Sequence, residues 1–366
     1  MTASEKVRVL VVDDSALMRK VLTDLLRTSP EIDVVGQARD GAEAVEMAGR
    51  LRPDVITLDV EMPGMSGLQA IPALFAAHEA SIVMVSALTQ AGAAVTLEAL
   101  ELGAFDFLPK PSQHQMAELK ALREVLVGKV LAAAQSRVRR PRLSARPVRP
   151  PSAFEIPTGG VTPSTSLTDC VVLGISTGGP QSLGQAFAGL APPIPPVLIV
   201  QHMPAGFTHV FAERLARHCE LTVKEAEEGD KVVPDQILIA PGGRHMTLIG
   251  RAPRARVSLS DGPPVSGHRP SVDALFLSAA KAFGPSTVGI IMTGMGRDGV
   301  DGCKKILAEG GTTFGQDEAT SIVYGMNKAA FHEGAVRRQF ALEELAGILS
   351  KLARKGPPAD RGPTGG

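Results

Sequence analysis

Apolar positions along the chain follow two alternating periods. Residues 7–12 (VRVLVV) form a short β-branched run; beyond Asp13 and Asp14, Leu17, Met18, Val21, Leu22, Leu25 and Leu26 recur at helical spacing. The pattern predicts a strand, an acidic turn and a helix. Runs at 34–37, 54–58, 81–86 and 105–108 predict four more strands, and 41–51 and 115–135 two more helices. Strands alternating with helices over about 130 residues imply a parallel sheet with helices on both faces.

The periodicity then lapses. Residues 136–150 hold six arginines and no acid, and six prolines fall between Pro141 and Pro163. Such a segment buries too little apolar surface to offset its ordering entropy and reads as a linker, 136–168. Periodicity resumes with strands expected at 170–173, 197–201, 236–240, 257–259 and 288–293. Helices are expected from Gln181 and at 208–218, 272–283, 299–309 and 343–353. The chain therefore divides into an α/β domain (1–135), a linker, a second α/β domain (169–355) and a Gly/Pro-rich tail (356–366). Both domains are expected to be doubly wound parallel sheets.

Composition narrows the function. Lys+Arg and Asp+Glu each number 38, so the chain lacks the overall basic charge of a nucleic-acid binder. The helix expected at 272–283 carries only Lys281 as a basic residue, which argues against a DNA-recognition helix. No Trp and a single Tyr leave little material for base stacking. Cys170, Cys219 and Cys303 are far apart and form no C-x-x-C pair; they read as small hydrophobes in a reducing compartment. No run approaches the ~18 apolar residues of a membrane span, so a cytoplasmic protein without membrane insertion is expected.

Candidate chemistry gathers at strand ends. Asp13 and Asp14 follow the first expected strand and Asp59 the third, at the sheet edge where ligands bind in open parallel folds. Clustered carboxylates suit a hard cation such as Mg²⁺. Ser86 and Lys110 end two further strands, adding a hydroxyl and an ammonium that could hold a phosphoryl group. Singly, each Asp could instead cap the next helix.

The set Asp13-Asp14, Asp59 in LDVEMPGMSG, Ser86 in MVSA and Lys110-Pro111 resembles the flavodoxin-like receiver domain of two-component response regulators. The resemblance implies that Asp59 is phosphorylated by a histidine kinase. It makes Asp13, Asp14, Asp59 and the Glu61 carbonyl ligands of Mg²⁺, Ser86 and Lys110 phosphoryl contacts, and Phe107 a conformational switch.

In the second domain, Gly174-Ile175-Ser176-Thr177-Gly178-Gly179 follows a strand and opens a helix, the G-x-S-x-G pattern that exposes a serine on a tight turn. The same loop could cradle a phosphate, or Ser176 could be a helix cap. His202 ends the next strand, and Asp298 lies in the Gly-rich turn after 288–293. Together they offer a hydroxyl, a base and an orienting carboxylate. The order Ser, His, Asp differs from that of the α/β-hydrolases. A nucleotide-binding module is the competing reading, but G-x-G-x-x-G and its downstream ribose-binding acid are missing.

The motifs GISTGGP, QHMPAGFT, FAERL, APGGRHM, MTGMGRDG and DEATSIVYGM resemble the catalytic domain of chemotaxis-type protein-glutamate methylesterases, a Rossmann-like fold. The resemblance implies hydrolysis of glutamyl methyl esters, and deamidation of certain glutamines, on methyl-accepting chemoreceptor cytoplasmic helices, under receiver control. It makes Ser176 the nucleophile, His202 the base, Asp298 its orienting acid and the Met295 amide an oxyanion donor, with no cofactor for the esterase chemistry. Two positions depart from the family pattern, Ile175 where Ala is common and Asn327 where Pro is common; neither is catalytic.

Overall fold

The computed structural model describes residues 6–87, 89–110, 116–139 and 169–353. Most of the 136–168 linker and all of the 356–366 tail lie outside the described residues. The chain forms two compact units.

In the first unit five strands, β1 (Val7–Val12), β2 (Ile32–Ala38), β3 (Val55–Asp59), β4 (Ser81–Ser86) and β5 (Asp106–Pro109), pair in parallel in the order β2-β1-β3-β4-β5. The central strands β3 and β4 are buried along their whole length, as a sheet covered on both faces requires. Helices α1 (Ala16–Arg27) and α5 (Met116–Arg139) pack together on one side, and α2 (Gly41–Leu51), α3 (Gly67–Ala77) and α4 (Gln90–Glu101) neighbour one another in turn. Two of these helices, α3 and α4, add to the sequence reading, and α5 runs to Arg139, past the expected 135.

The second unit holds a seven-stranded parallel sheet. Its strands are β6 (Cys170–Ile175), β7 (Val197–Gln201), β8 (Thr222–Glu225), β9 (Gln236–Ile239), β12 (Thr287–Ile291), β13 (Thr312–Gln316) and β14 (Arg338–Phe340), in the order β14-β13-β12-β6-β7-β9-β8. A separate antiparallel hairpin, β10 (His245–Ile249) with β11 (Arg256–Ser260), lies against helix α8 (Val272–Phe283), where Ser278 Oγ accepts from Leu248 N at 3.0 Å. Remaining helices are α6 (Gly179–Ala186), α7 (Phe207–Ala216), α9 (Val300–Ala308), α10 (Met326–His332) and α11 (Leu345–Leu352). Fully buried Val172, Leu198, Leu275, Phe276 and Ile306 tie the sheet to α8 and α9. No helix among the described residues is long and apolar enough to cross a membrane.

Each sheet has one place where connections diverge to opposite sides. In the first it lies between β1 and β3; in the second, between β6 and β12. Crevices at such points are where open α/β sheets bind ligands.

Candidate functional site

In the first unit, one carboxylate oxygen each from Asp13, Asp14 and Asp59 lies within 4.8 Å of the others. Asp13 and Asp59 are buried and Asp14 is exposed. Lys110 Nζ stands 2.7 Å from Asp59 Oδ2 and 3.0 Å from Asp13 Oδ2. Burial pushes the Asp59 carboxyl up to about 6; the Lys110 hydrogen bond opposes that shift and the neighbouring Asp13 charge reinforces it. Three carboxylates against one ammonium, all offering oxygen, fit a hard divalent cation. Asp14 is not the helix cap, because Ser15 occupies that position and its Oγ accepts from Met18 N at 3.4 Å.

The other receiver residues are placed differently. Glu61 N lies 3.4 Å from Asp59 Oδ1, and Glu61, Asp14 and Lys110 line one pocket of ≈ 660 Å³. The Ser86 hydroxyl is buried and faces Ala87 O (3.3 Å) and Gly92 O (3.4 Å). Phe107 is buried, with the Lys129 ammonium 5.7 Å from its ring centroid.

In the second unit, Ser176, His202 and Asp298 follow β6, β7 and β12, three neighbouring strands. Ser176 N donates to Thr293 O at 2.9 Å, locking the end of β6 to the loop after β12. Helix α6 is capped by Gly178 in the left-handed region (φ 79°), so Ser176 is not its cap. Gly179 is required by close approach, since a Cβ there would lie 1.8 Å from Gln201 Oε1, and the Gln201 amide in turn donates to Ser176 O at 3.0 Å. The turn thus holds the Ser176 side chain toward His202.

A continuous hydrogen-bonded chain results. His202 Nδ1 is 3.2 Å from Ser176 Oγ, and His202 Nε2 is 2.9 Å from Asp298 Oδ2. With the proton on Nε2 donated to Asp298, Nδ1 is left to accept from the serine hydroxyl. Asp298 is 1% exposed. Burial alone would raise its pKa, but the His202 hydrogen bond and charge, with backbone N–H groups of Asp273 and Val272, hold it at about 2. Those groups open α8: Val272 N donates at 2.8 Å, Asp273 N at 3.0 Å and Ser271 Oγ at 2.8 Å.

Met295 lies between Gly294 and Gly296 in the loop after β12. Gly294 is fixed on both sides, donating to Val323 O at 3.0 Å and accepting from Met326 N at 2.8 Å. Among the described residues no acceptor takes the Met295 N–H. Cys170 and Cys303 are buried and burial pushes both thiols up, as structural hydrophobes require; Cys219 is only half-buried.

Three residues around the triad escaped the sequence reading. Ser271 caps α8, accepting from Ala274 N at 3.4 Å while it donates to Asp298. His245 is buried on β10, its Nε2 3.0 Å from Pro263 O and its Nδ1 accepting from Ser271 N at 3.3 Å. His268 stacks on His202, ring centroids 3.8 Å apart and planes 7° apart. Ser271 carries a readable signal, a serine directly before a helical pattern; His245 lies inside the APGGRHM motif, which marks the segment but not the histidine's role, and His268 sits in the loop before α8 without any local pattern to mark it.

Fold and sites together define a receiver-type domain followed in the chain by a parallel α/β domain with a Ser–His–Asp hydrogen-bonded chain at its switch point. Residues 9–122 match the response regulator receiver domain family, and residues 171–349 the CheB methylesterase family. A protein-glutamate methylesterase/protein-glutamine glutaminase of Pyrococcus horikoshii is 46% identical, over 94% of this chain and 93% of its own length. One of the same name, numbered 2, from Cupriavidus pinatubonensis is 42% identical over 99% of this chain and 100% of its own. The solved catalytic domain of Thermotoga maritima CheB methylesterase is 37% identical and covers 50% of this chain and 98% of that domain, with a TM-score of 0.49. The chain belongs to the protein-glutamate methylesterase/protein-glutamine glutaminase family.

Proposed function

We propose that this protein is a phosphorylation-controlled hydrolase that removes methyl groups from γ-glutamyl methyl esters, and deamidates particular glutamines, on the cytoplasmic helices of methyl-accepting chemoreceptors. The observation that carries the reading is the unbroken Ser176–His202–Asp298 chain. Ser176 Oγ attacks the side-chain carbonyl carbon while His202 Nδ1 takes its proton and Asp298 stabilises the imidazolium. The Met295 N–H receives the oxyanion, a contribution of about 3 kcal/mol to the barrier for one such donor. Collapse breaks the ester C–O bond, and His202 returns the proton to the departing methoxide, giving methanol and an acyl-enzyme. Water, deprotonated by His202, then releases glutamate and restores Ser176. With a glutamine substrate the leaving group is ammonia.

Control is assigned to the first unit. Asp59 accepts a phosphoryl group from a partner histidine kinase; Asp13, Asp14, Asp59 and the Glu61 carbonyl would hold the Mg²⁺ this transfer uses. When bound, the cation neutralises charge on the phosphoryl oxygens. The Lys110 ammonium moves from Asp59 Oδ2 onto the phosphoryl group, the Ser86 hydroxyl turns to join it, and Phe107 reports the change. The protein works in the cytoplasm, where the chemoreceptor helices and the kinase lie.

Methanol release from a methylated chemoreceptor fragment tests the reading, with wild type, Ser176→Ala and Asp59→Asn compared with and without a small-molecule phosphoryl donor. Release that needs Ser176 and rises with the donor only when Asp59 is present is the expected result. Release by Ser176→Ala would overturn the catalytic assignment, and an equal donor effect in Asp59→Asn would overturn the control.

A further inference from the structure

Beside the three residues of the hydrogen-bonded chain, one more ring touches His202. The in-plane nitrogens of His202 are both committed, one to Ser176 and one to Asp298. Those bonds fix the direction of the ring but leave its faces to other contacts. The His268 ring covers one face in a near-parallel stack at 3.8 Å, and the His202 side chain is left 8% exposed.

The segment carrying His268 is built to hold that ring in place. Val265 and His268 exchange backbone hydrogen bonds, Val265 N to His268 O at 3.1 Å and His268 N to Val265 O at 2.9 Å. Ser266 (φ 52°) and Gly267 (φ 79°) both occupy the left-handed region, the geometry of a tight two-residue turn. A serine in that region is uncommon, and its hydroxyl is fixed by donating to Asp273 Oδ2 at 3.1 Å. Asp273 is itself buried and accepts from Gly302 N at 2.7 Å, so the turn is tied to the starts of both α8 and α9.

Further bonds secure the rest of the segment. Arg269 donates to Asp261 O (2.8 Å) and Gly262 O (3.0 Å), and Gly243 N donates to Arg269 O (3.3 Å). Buried His245 holds Pro263 O and Ser271 N from beneath. Residues 261–271 therefore form a strap pinned at several points, whose tip lays one imidazole flat on another.

We propose that His268 is a positioning residue of the esterase site, which stacks on His202 to hold its ring in the plane joining Ser176 to Asp298 and to support the positive charge that ring acquires when Ser176 gives up its proton. The proposal rests on the esterase reading for its catalytic half. Stacking confines the ring against rotation out of the Ser176–Asp298 plane. An aromatic face attracts a cation at contact distance, more strongly where water is excluded, and phenylalanine, which carries no proton, would supply that effect alone. Both effects act on proton transfer and not on ground-state substrate binding, so they belong in kcat.

The test uses the full chain with His268→Ala and His268→Phe, assayed by methanol release beside wild type and Ser176→Ala. His268→Ala is expected to lower kcat about tenfold with KM little changed, and His268→Phe, which keeps a flat ring, to recover most of the loss. An Ala variant with wild-type kcat, a loss confined to KM, or a Phe variant no better than Ala would each overturn the proposal. Proton NMR of the His202 Nε2–H gives a readout that needs no substrate. The resonance should be protected from exchange in wild type and His268→Phe and broadened in His268→Ala. Equal protection in all three overturns the holding role even if no ester is turned over, whereas absence of Ser176-dependent release alone counts against the esterase reading.

Discussion

Asp298 Oδ2 accepts from Val272 N at 2.8 Å, so the carboxylate hydrogen-bonded to His202 also takes a free N–H at the start of helix α8. Burial works against ionisation, but the His202 hydrogen bond and charge, together with the Asp273 and Val272 backbone N–H groups, keep Asp298 ionised far below neutrality. Replacement by Asn puts an amide where a lone pair is needed and favours the wrong imidazole tautomer. Asp298→Asn should lower kcat by about 10⁴ with little change in KM, measured by methanol release.

Ser271→Ala tests the next layer. The hydroxyl both caps α8 and donates to Asp298 Oδ1. Its loss should cost about 1–2 kcal/mol in denaturant unfolding and lower kcat about tenfold. A stable variant with full kcat would show that the backbone amides alone hold Asp298.

Gly294 lies where a Cβ would come 2.5 Å from Met326 Sδ and 2.7 Å from Ser176 Cβ. The Met326 side chain can shift, but Ser176 sits in the tight turn after β6. Gly294→Ala should displace Ser176, the proposed nucleophile, and lower kcat at least 10²-fold, with circular dichroism showing retained secondary structure.

The Asp59 carboxyl is raised to about 6 from 3.8. A carboxyl whose folded pKa lies above its unfolded value binds more protons when folded, so its contribution to stability is fully present below about pH 4 and is lost as pH rises through about 6. Asp59→Asn, which mimics the neutral form, should match wild type near pH 3.5 and exceed it by on the order of 2 kcal/mol above pH 6.5, without divalent metal. Denaturant unfolding at a series of pH values, read by hydrogen exchange at β3 amides, measures this.

Mg²⁺ should reverse part of that penalty. Millimolar Mg²⁺ is expected to raise the melting temperature of wild type, and Asp13→Asn to abolish the rise, in calorimetry at pH 7. An equal rise in both would place the cation elsewhere.

The sequence was most legible where burial was greatest. β1, β4, α2 and α8 appear in the structure at the expected residues because a strand covered on both faces is a continuous apolar run, and α8 has a clear 3.6 period. The missed elements lack such runs. β8 (TVKE) is an edge strand with no buried residue, and β14 spans only three residues at the opposite edge. Pro72 lies inside α3, and α4 is rich in small residues, so both weaken the pattern of a helix. The site followed the same logic. Ser176 and His202 were visible because each directly follows a buried strand, and Asp298 because it lies in the Gly-rich loop after one, whereas His268 makes its contact with a residue far away in sequence.

The pairing of β6 with β12 aligns Cys170 with Thr287, more than a hundred residues apart. During synthesis the N-terminal half of the hydrolase unit, including Ser176 and His202, leaves the ribosome before its central neighbour exists. Until β12 arrives, β6 has one bare edge, a template for wrong partners that chaperones would need to shield. On the proposed assignment the same arrangement also ties activity to completion: no chain released before residue 298 carries the carboxylate proposed to orient His202, so truncated products would be silent.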